Sequence, residues 1–151
     1  MTQRAGALMK NFFYALAVAG MLLAGATADG IAANLVAKVS LSTQTMTVTH
    51  RGRVLHRWRV STARRGYVTP RGQWRPKRMH RMWYSRKYDM SPMPYSIFYH
   101  GGYAIHGTNA VSRLGRPASH GCVRLDTANA ARLYALVKQV GPANTRIVVT
   151  D

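Results

Sequence analysis

The chain has 151 residues, 22 Lys+Arg against 4 Asp+Glu, a formal net charge of +18 and a single cysteine. One thiol excludes an internal disulfide framework, and this length without internal repeat or long linker excludes a multidomain array. The acids are Asp29, Asp89, Asp126 and Asp151, with no glutamate at all. Such a balance speaks to partners rather than to fold.

Residues 1–28 read as a secretory signal peptide. Arg4 and Lys10 form a basic start, an apolar run extends from Phe12 to about Ala26, and Ala26-Thr27-Ala28 supplies an A-x-A cleavage site before Asp29. The rival reading is a retained anchor. The apolar run is marginal for a bilayer, which needs roughly 20 residues, and Ala15, Ala17, Ala19, Gly20, Ala24 and Gly25 dilute it. Either way the rest of the chain is expected outside the cytoplasm, in the periplasm or cell wall. Residues 29–34 make a short tether, and 35–151 make one domain. Loss of Arg4 and Lys10 takes the formal +18 to +16. That charge suits nucleic acid or anionic envelope polymers; export favours the envelope, and nucleic acid is not the expected partner.

Leu35–Leu41 has apolar residues at alternate positions, as do Met46 and Val48 among Thr45, Thr47 and Thr49. Both predict half-buried strands. His50-Arg51-Gly52-Arg53 predicts a hairpin turn. Val54–Ser61 resumes the alternation, with Val54, His56, Trp58 and Val60 on one face. Thr69-Pro70-Arg71-Gly72 is a turn. Gln73–Met82 predicts a basic strand and the start of a long loop that continues through Ser91-Pro92-Met93-Pro94. Tyr95–Tyr99 and Tyr103–His106 predict short strands around Gly101-Gly102. A helix follows, capped by Asp126 or Thr127, with Leu133, Leu136, Val137 and Val140 at helical spacing and Gly141-Pro142 as its stop. Arg146–Thr150 predicts a last strand. The class is mainly β with one helix after the cysteine, a β-sandwich or partly closed barrel.

The chemistry gathers around Cys122 in Ser119-His120-Gly121-Cys122-Val123-Arg124, with His106 upstream in Ile105-His106-Gly107-Thr108. An unpaired thiol in an exported chain needs a reason, and nucleophilic catalysis supplies one. A cysteine nucleophile needs a base, a group to orient that base, and donors for an oxyanion. His106, at the end of a predicted strand, is the expected base, with the Gly107 carbonyl orienting its ring. Gly121 lets the backbone approach a substrate and point N–H groups at the oxyanion. The following helix is expected to add a field favouring thiolate. Arg124 is placed to hold a carboxylate. His50, His56, His80 and His100 read as surface or core residues. A zinc site from His100, His106, His120 and Cys122 matches no common spacing, so neither metal nor cofactor is expected.

These motifs closely resemble the signature of the L,D-transpeptidase family, the YkuD-type catalytic domain. The resemblance extends to Ser42-Thr43-Gln44, Val60-Ser61-Thr62, Thr69-Pro70-Arg71-Gly72, Pro92-Met93-Pro94-Tyr95 and Phe98. Ala63-Arg64 departs from it, since family members often carry glycine after Ser-Thr. The resemblance implies a β-sandwich-like fold and peptidoglycan tetrapeptide stems as substrate. Cys122 attacks the carbonyl at the L-centre of a diamino acid, D-alanine leaves, and a thioester remains. A second stem, a lysine of an envelope protein, or water resolves it. His106 acts as base and then acid, Ser119, His120 and Gly121 shape the site beside Gly107, and Arg124 and Thr108 contact substrate. The alternatives are an L,D-carboxypeptidase or an inert, basic peptidoglycan-binding protein.

Overall fold

A computed structural model describes residues 33–151. The expected signal peptide and all but the last two residues of the tether lie outside the described residues. Nine strands and one α-helix follow in chain order: β1 (Leu35–Ser40), β2 (Thr45–His50), β3 (Arg53–Arg59), β4 (Gly72–Trp74), β5 (Arg78–Ser85), β6 (Ser91–His100), β7 (Tyr103–Thr108), β8 (Val123–Asp126), α1 (Thr127–Val140) and β9 (Thr145–Thr150).

They form two mixed sheets. The first has the order β3-β2-β1-β9-β4 and the second β5-β6-β7-β8. In the first, β9 returns parallel to β1, with Ala37 opposite Ile147 and Val39 opposite Val149. Alternation explains why these segments are strands: Leu35, Ala37, Val39, Met46, Val48, Ile147 and Val149 are all buried, while Lys38 and Arg57 turn outward. Ile97, Tyr99, Ile105, Val123 and Leu125 of the second sheet join them in one apolar core, closed by Ala130, Leu133 and Val137 of α1. Each fully buried aliphatic side chain of this kind contributes roughly 1.5–3 kcal/mol. The core therefore pins β8 through Val123 and Leu125, and with it the point where Cys122 enters the sheet.

The first hairpin forms as its sequence predicts. Arg51 and Gly52 both take positive φ, 50° and 78°, which is the backbone that matches strand twist in a two-residue turn. Beyond it the predicted face breaks. Thr49 pairs with Val54 but Val48 pairs with His56, so Leu55 is an extra residue in the ladder and the alternation flips there. Val54 consequently points away from the core and is 50% exposed, while Trp58 packs against it.

Three segments differ from their sequence reading. Gln73–Met82 is two strands in two sheets: β4 pairs with β9, β5 pairs with β6, and Pro76 lies in the connection. The predicted loop through Pro94 is a β-hairpin. Pro92 and Pro94 lie opposite Tyr84 and Met82; sharing one parity, they omit their N–H groups on the same side. That side has no partner, because β6 meets β7 only from Ile97 onward, so the ladder tolerates both prolines. Between Cys122 and the helix, finally, stands β8, too short to read from periodicity.

The helix matches its expected signals. The Asp126 carboxylate accepts from Ala128 N–H at 2.9 Å, and Gly141 N–H returns to Val137 O with φ at 94°. The chain after β3 crosses to the second sheet, where Ser61 and Arg124 exchange both backbone bonds at 3.0 and 2.8 Å. Gln44 clamps that crossing: its Nε2 donates to Thr62 Oγ1 at 2.6 Å and its Oε1 accepts from Thr62 N–H at 2.9 Å.

Candidate active site

β7 and β8 run parallel, with Ile105 opposite Val123 and His106 opposite Arg124. Ile105, Val123 and Leu125 face the core, so the intervening side chains emerge on the other face of the sheet. His106, Arg124 and, two residues before it, Cys122 therefore share one side. All three line a cavity of about 990 Å³. His106 sits inside β7 rather than at its end, so both flanking peptides are held.

His106 is 6% exposed. Its Nδ1 lies 2.7 Å from Gly107 O. A carbonyl only accepts, so Nδ1 carries the proton and Nε2 keeps its lone pair. Burial lowers the ring's pKa to about 4; the Gly107 bond opposes this, and the nearby Arg124 adds to it. The Cys122 thiol is pushed up by burial, against a backbone bond at Ala104 and the fields of Arg124 and Lys87. At neutral pH both groups are uncharged. They are a neutral thiol and a neutral imidazole on the wall of one cavity, not a thiolate with an imidazolium. The expected help from the helix is absent: β8 puts four residues, roughly 13 Å of strand, between Cys122 and α1, and a helix field fades within about one turn.

The loop carrying Cys122 is fastened from below. Ser119, fully buried, donates through Oγ to Cys122 O at 2.6 Å and accepts from Gly121 N–H at 3.0 Å. Thr69 Oγ1 donates to Gly121 O at 2.9 Å and accepts from Ala63 N–H at 2.9 Å. Gly121 N–H is thus engaged and does not face an oxyanion in this arrangement; the residue's contribution is conformational. Its φ is +131°, and a Cβ there would stand 2.6 Å from Tyr103 Cε1 and 2.8 Å from Val68 O. Gly121→Ala is expected to cost about 2–5 kcal/mol of stability, from backbone strain and overpacking together. Denaturant unfolding checks this; a wild-type midpoint would contradict it. Gly107 is tight as well, since a Cβ would meet Pro94 and Thr127 at 3.0 Å.

His120 lies at the cavity rim. Its ring stacks on Tyr88 at 4.5 Å between centroids and meets Tyr67 edge-on at 4.6 Å. Arg64 donates a guanidinium N–H to its Nε2 at 2.9 Å. Arg64, in the Ala63-Arg64 segment that departs from the family pattern, thus supports the ring two residues from Cys122. Tyr88, at the tip of the β5–β6 hairpin, leans that hairpin against the cysteine loop. Neither contact was legible in the sequence, because both join residues more than thirty positions apart. Arg124 and Thr108 line the cavity, and the Thr108 carbonyl accepts from Thr127 Oγ1 at 3.4 Å. His50, His56, His80 and His100 do not line it. Among the described residues, no three His, Cys, Asp or Glu side chains form a metal-holding group.

The cavity wall is cationic. Arg78, Arg86, Lys87 and Arg124 line it, and no Asp or Glu does. Arg71 with Asp151 is the one ion pair among the described residues.

Fold and site together define a two-sheet domain that presents a thiol and an oriented neutral imidazole in a basic cleft. A family model of the YkuD L,D-transpeptidase catalytic domain matches residues 34–149, and the chain belongs to that family. Among solved structures it is similar to an L,D-transpeptidase (Yku) from Stackebrandtia nassauensis, at 26% identity and a TM-score of 0.68, covering 78% of this chain and 56% of that one. An L,D-transpeptidase from Mycobacterium smegmatis, at 22% identity and the same TM-score of 0.68, covers 78% of this chain and 59% of its own. L,D-transpeptidase 3 from Mycobacterium tuberculosis, solved with a faropenem-derived adduct, is 21% identical with a TM-score of 0.67, over 78% and 60%. The chain thus spans less than two thirds of the length of these structures. No curated protein matches it.

Proposed function

We propose that this protein is an exported cysteine L,D-transpeptidase acting on peptidoglycan tetrapeptide stems. The single observation that carries the reading is the Nδ1–H···O=C bond from His106 to Gly107, which leaves Nε2 as a base on the side shared with Cys122. His106 Nε2 takes the Sγ proton as sulfur attacks the carbonyl carbon of the diamino acid's L-centre. The oxyanion collapses, the C–N bond to D-alanine breaks, and His106 returns the proton to the departing amine. The thioester on Cys122 is then attacked by an acceptor amine whose proton passes to His106, and sulfur leaves to be reprotonated. A second stem is the proposed acceptor; a lysine of an envelope protein is the alternative, and water gives carboxypeptidase action. The cationic cavity suits the carboxylates of such peptides.

Incubating purified protein with defined tetrapeptide stems and reading products by mass tests this. A crosslinked dimer less one D-alanine supports it. Tripeptide alone makes the protein a carboxypeptidase, and binding without turnover makes it an inert binding protein. We place it in the periplasm or cell wall on the strength of residues 1–28. By analogy with the faropenem-derived adduct of L,D-transpeptidase 3, a β-lactam is a suitable probe of the thiol.

The charge outside the cavity has its own role in this reading. By register, Lys38, Arg57, Arg59 and Arg146 share the outward face of the first sheet. Exposed charges are screened beyond roughly 8 Å at physiological ionic strength. Binding to whole sacculi is therefore expected to weaken as salt rises, while kcat on a small soluble stem holds. Co-sedimentation and peptide kinetics over one salt series check the split; a kcat falling in step with sacculus binding would contradict it.

A further inference from the structure

Arg78 opens β5 and stands opposite Phe98 in the β5–β6 ladder. Its guanidinium carbon lies 4.1 Å from the Phe98 ring centroid and 5.1 Å from that of Trp83. The two rings meet edge to face, 5.6 Å apart at 79°, so the guanidinium rests in the corner between them. A planar cation held on aromatic faces is already oriented and loses little further freedom on binding. Phe98 is buried and belongs to a small apolar cluster with Met93 and Ala104, against which both Trp83 and Cys122 pack. An apolar shelf thus runs from the thiol to Arg78.

Among the described residues no carboxylate neutralises the charge of Arg78. The residue is exposed, lines the catalytic cavity with no carboxylate among its neighbours there, and makes no ion pair among the described residues. Arg124, in register with His106, is the half-buried cation beside the thiol. One guanidinium next to the nucleophile and another across the shelf suit a ligand with two separated carboxylates rather than one.

We propose that Arg78 is a specificity-determining residue that binds a carboxylate of the donor peptide other than that of the departing D-alanine. This inference rests on the transpeptidase reading above and adds a preference for the free acid over the amide. A carboxylate accepts two parallel bonds from a guanidinium; amidation removes the charge and replaces one acceptor by a donor, which Arg78 cannot satisfy.

The test uses the purified protein with three synthetic tetrapeptide stems, chosen to carry a glutamyl residue and a diamino acid with two carboxyls: the free acid, the stem amidated at the glutamyl α-carboxyl, and the stem amidated at the diamino acid's second carboxyl. D-alanine release gives KM and kcat for each. For the wild type, one of the two amidations is expected to raise KM about 10- to 100-fold, the range of one charge-assisted bond. Arg78→Met is expected to raise KM for the free acid by the same factor and to become indifferent to that amidation, with the loss falling in KM rather than kcat. Arg78→Lys keeps the charge, loses the fork, and is expected between the two. Wild-type turnover with no preference, or Arg78→Met retaining the wild-type preference, overturns this inference alone. A wild type that releases no D-alanine from any stem overturns the transpeptidase reading and this inference with it.

Discussion

Cys122→Ala is expected to form no acyl-enzyme and to lose at least about a thousandfold in D-alanine release, the scale of removing a nucleophile. Cys122 is the only thiol in the chain, so no second sulfur can substitute. The fold should survive the change. Ser119 Oγ bonds the main-chain carbonyl of residue 122, not its side chain, and the thiol's own polar contacts are the backbone bond at Ala104 and a long 4.0 Å approach to Gly102 O. Loss of one sulfur from the Met93–Phe98–Ala104 cluster costs on the order of 1 kcal/mol. Intact-protein mass after exposure to a β-lactam reads the effect directly, with circular dichroism to confirm folding. A Cys122→Ala protein that still gains the adduct mass, or still releases D-alanine, removes the nucleophile from this account.

His106→Ala is expected to cost about 10² to 10⁴ in acylation rate at neutral pH, the range of a positioned general base. Its pH dependence is the sharper signature. In the proposed mechanism the wild type's reactive form is neutral His106 with protonated Cys122. The imidazole's pKa is lowered to about 4, so activity should hold as pH falls through 6 and fall away only as the ring protonates near 4. The thiol is pushed up, so the wild-type rate should be flat through neutrality. Without the base, only spontaneous thiolate reacts; the His106→Ala rate should rise about tenfold per pH unit below the thiol's pKa. His120→Ala removes a ring held by Arg64 and Tyr88 rather than a proton acceptor, and is expected to cost about tenfold with an unchanged profile. Acylation rates across pH for the three proteins decide it. A wild-type acid limb near 6.5, or greater damage from His120→Ala, would exchange the roles of the two histidines.

What could be read from the sequence was what is local. β1 and β2 alternate with period two and are joined to their neighbours by short turns whose residues fit the backbone they adopt, Arg51-Gly52 above all. The Asp126 cap and the Gly141 stop bracket α1 within fifteen residues. That His106 and Cys122 would line one cavity was legible for a related reason: a thiol, an imidazole and their flanking glycines stand in two short segments, and even the Gly107 carbonyl that orients the ring is the adjacent residue. Leu55 gave no sign that it would bulge and turn Val54 outward. Pro92 and Pro94 read as loop because proline removes a ladder donor, yet the edge they face has no partner to miss it. β8 has too few residues to display a period and owes its place to Val123 and Leu125 in the core. The rest of the cavity is tertiary. Arg64 reaches His120, Tyr88 lies on the same ring, and Arg78 settles between Phe98 and Trp83 only because β5 and β6 pair as a hairpin that the prolines had concealed.

The central claim is a thioester between Cys122 and a stem peptide, and rapid-quench mass spectrometry of the wild-type protein with a tetrapeptide stem tests it most directly. The expected result is a transient protein species heavier by the stem less D-alanine, cleaved by hydroxylamine, with the added mass mapping to the peptide that contains Cys122. D-alanine released with no such species at any quench time, or an adduct mapping to another residue, would contradict the account.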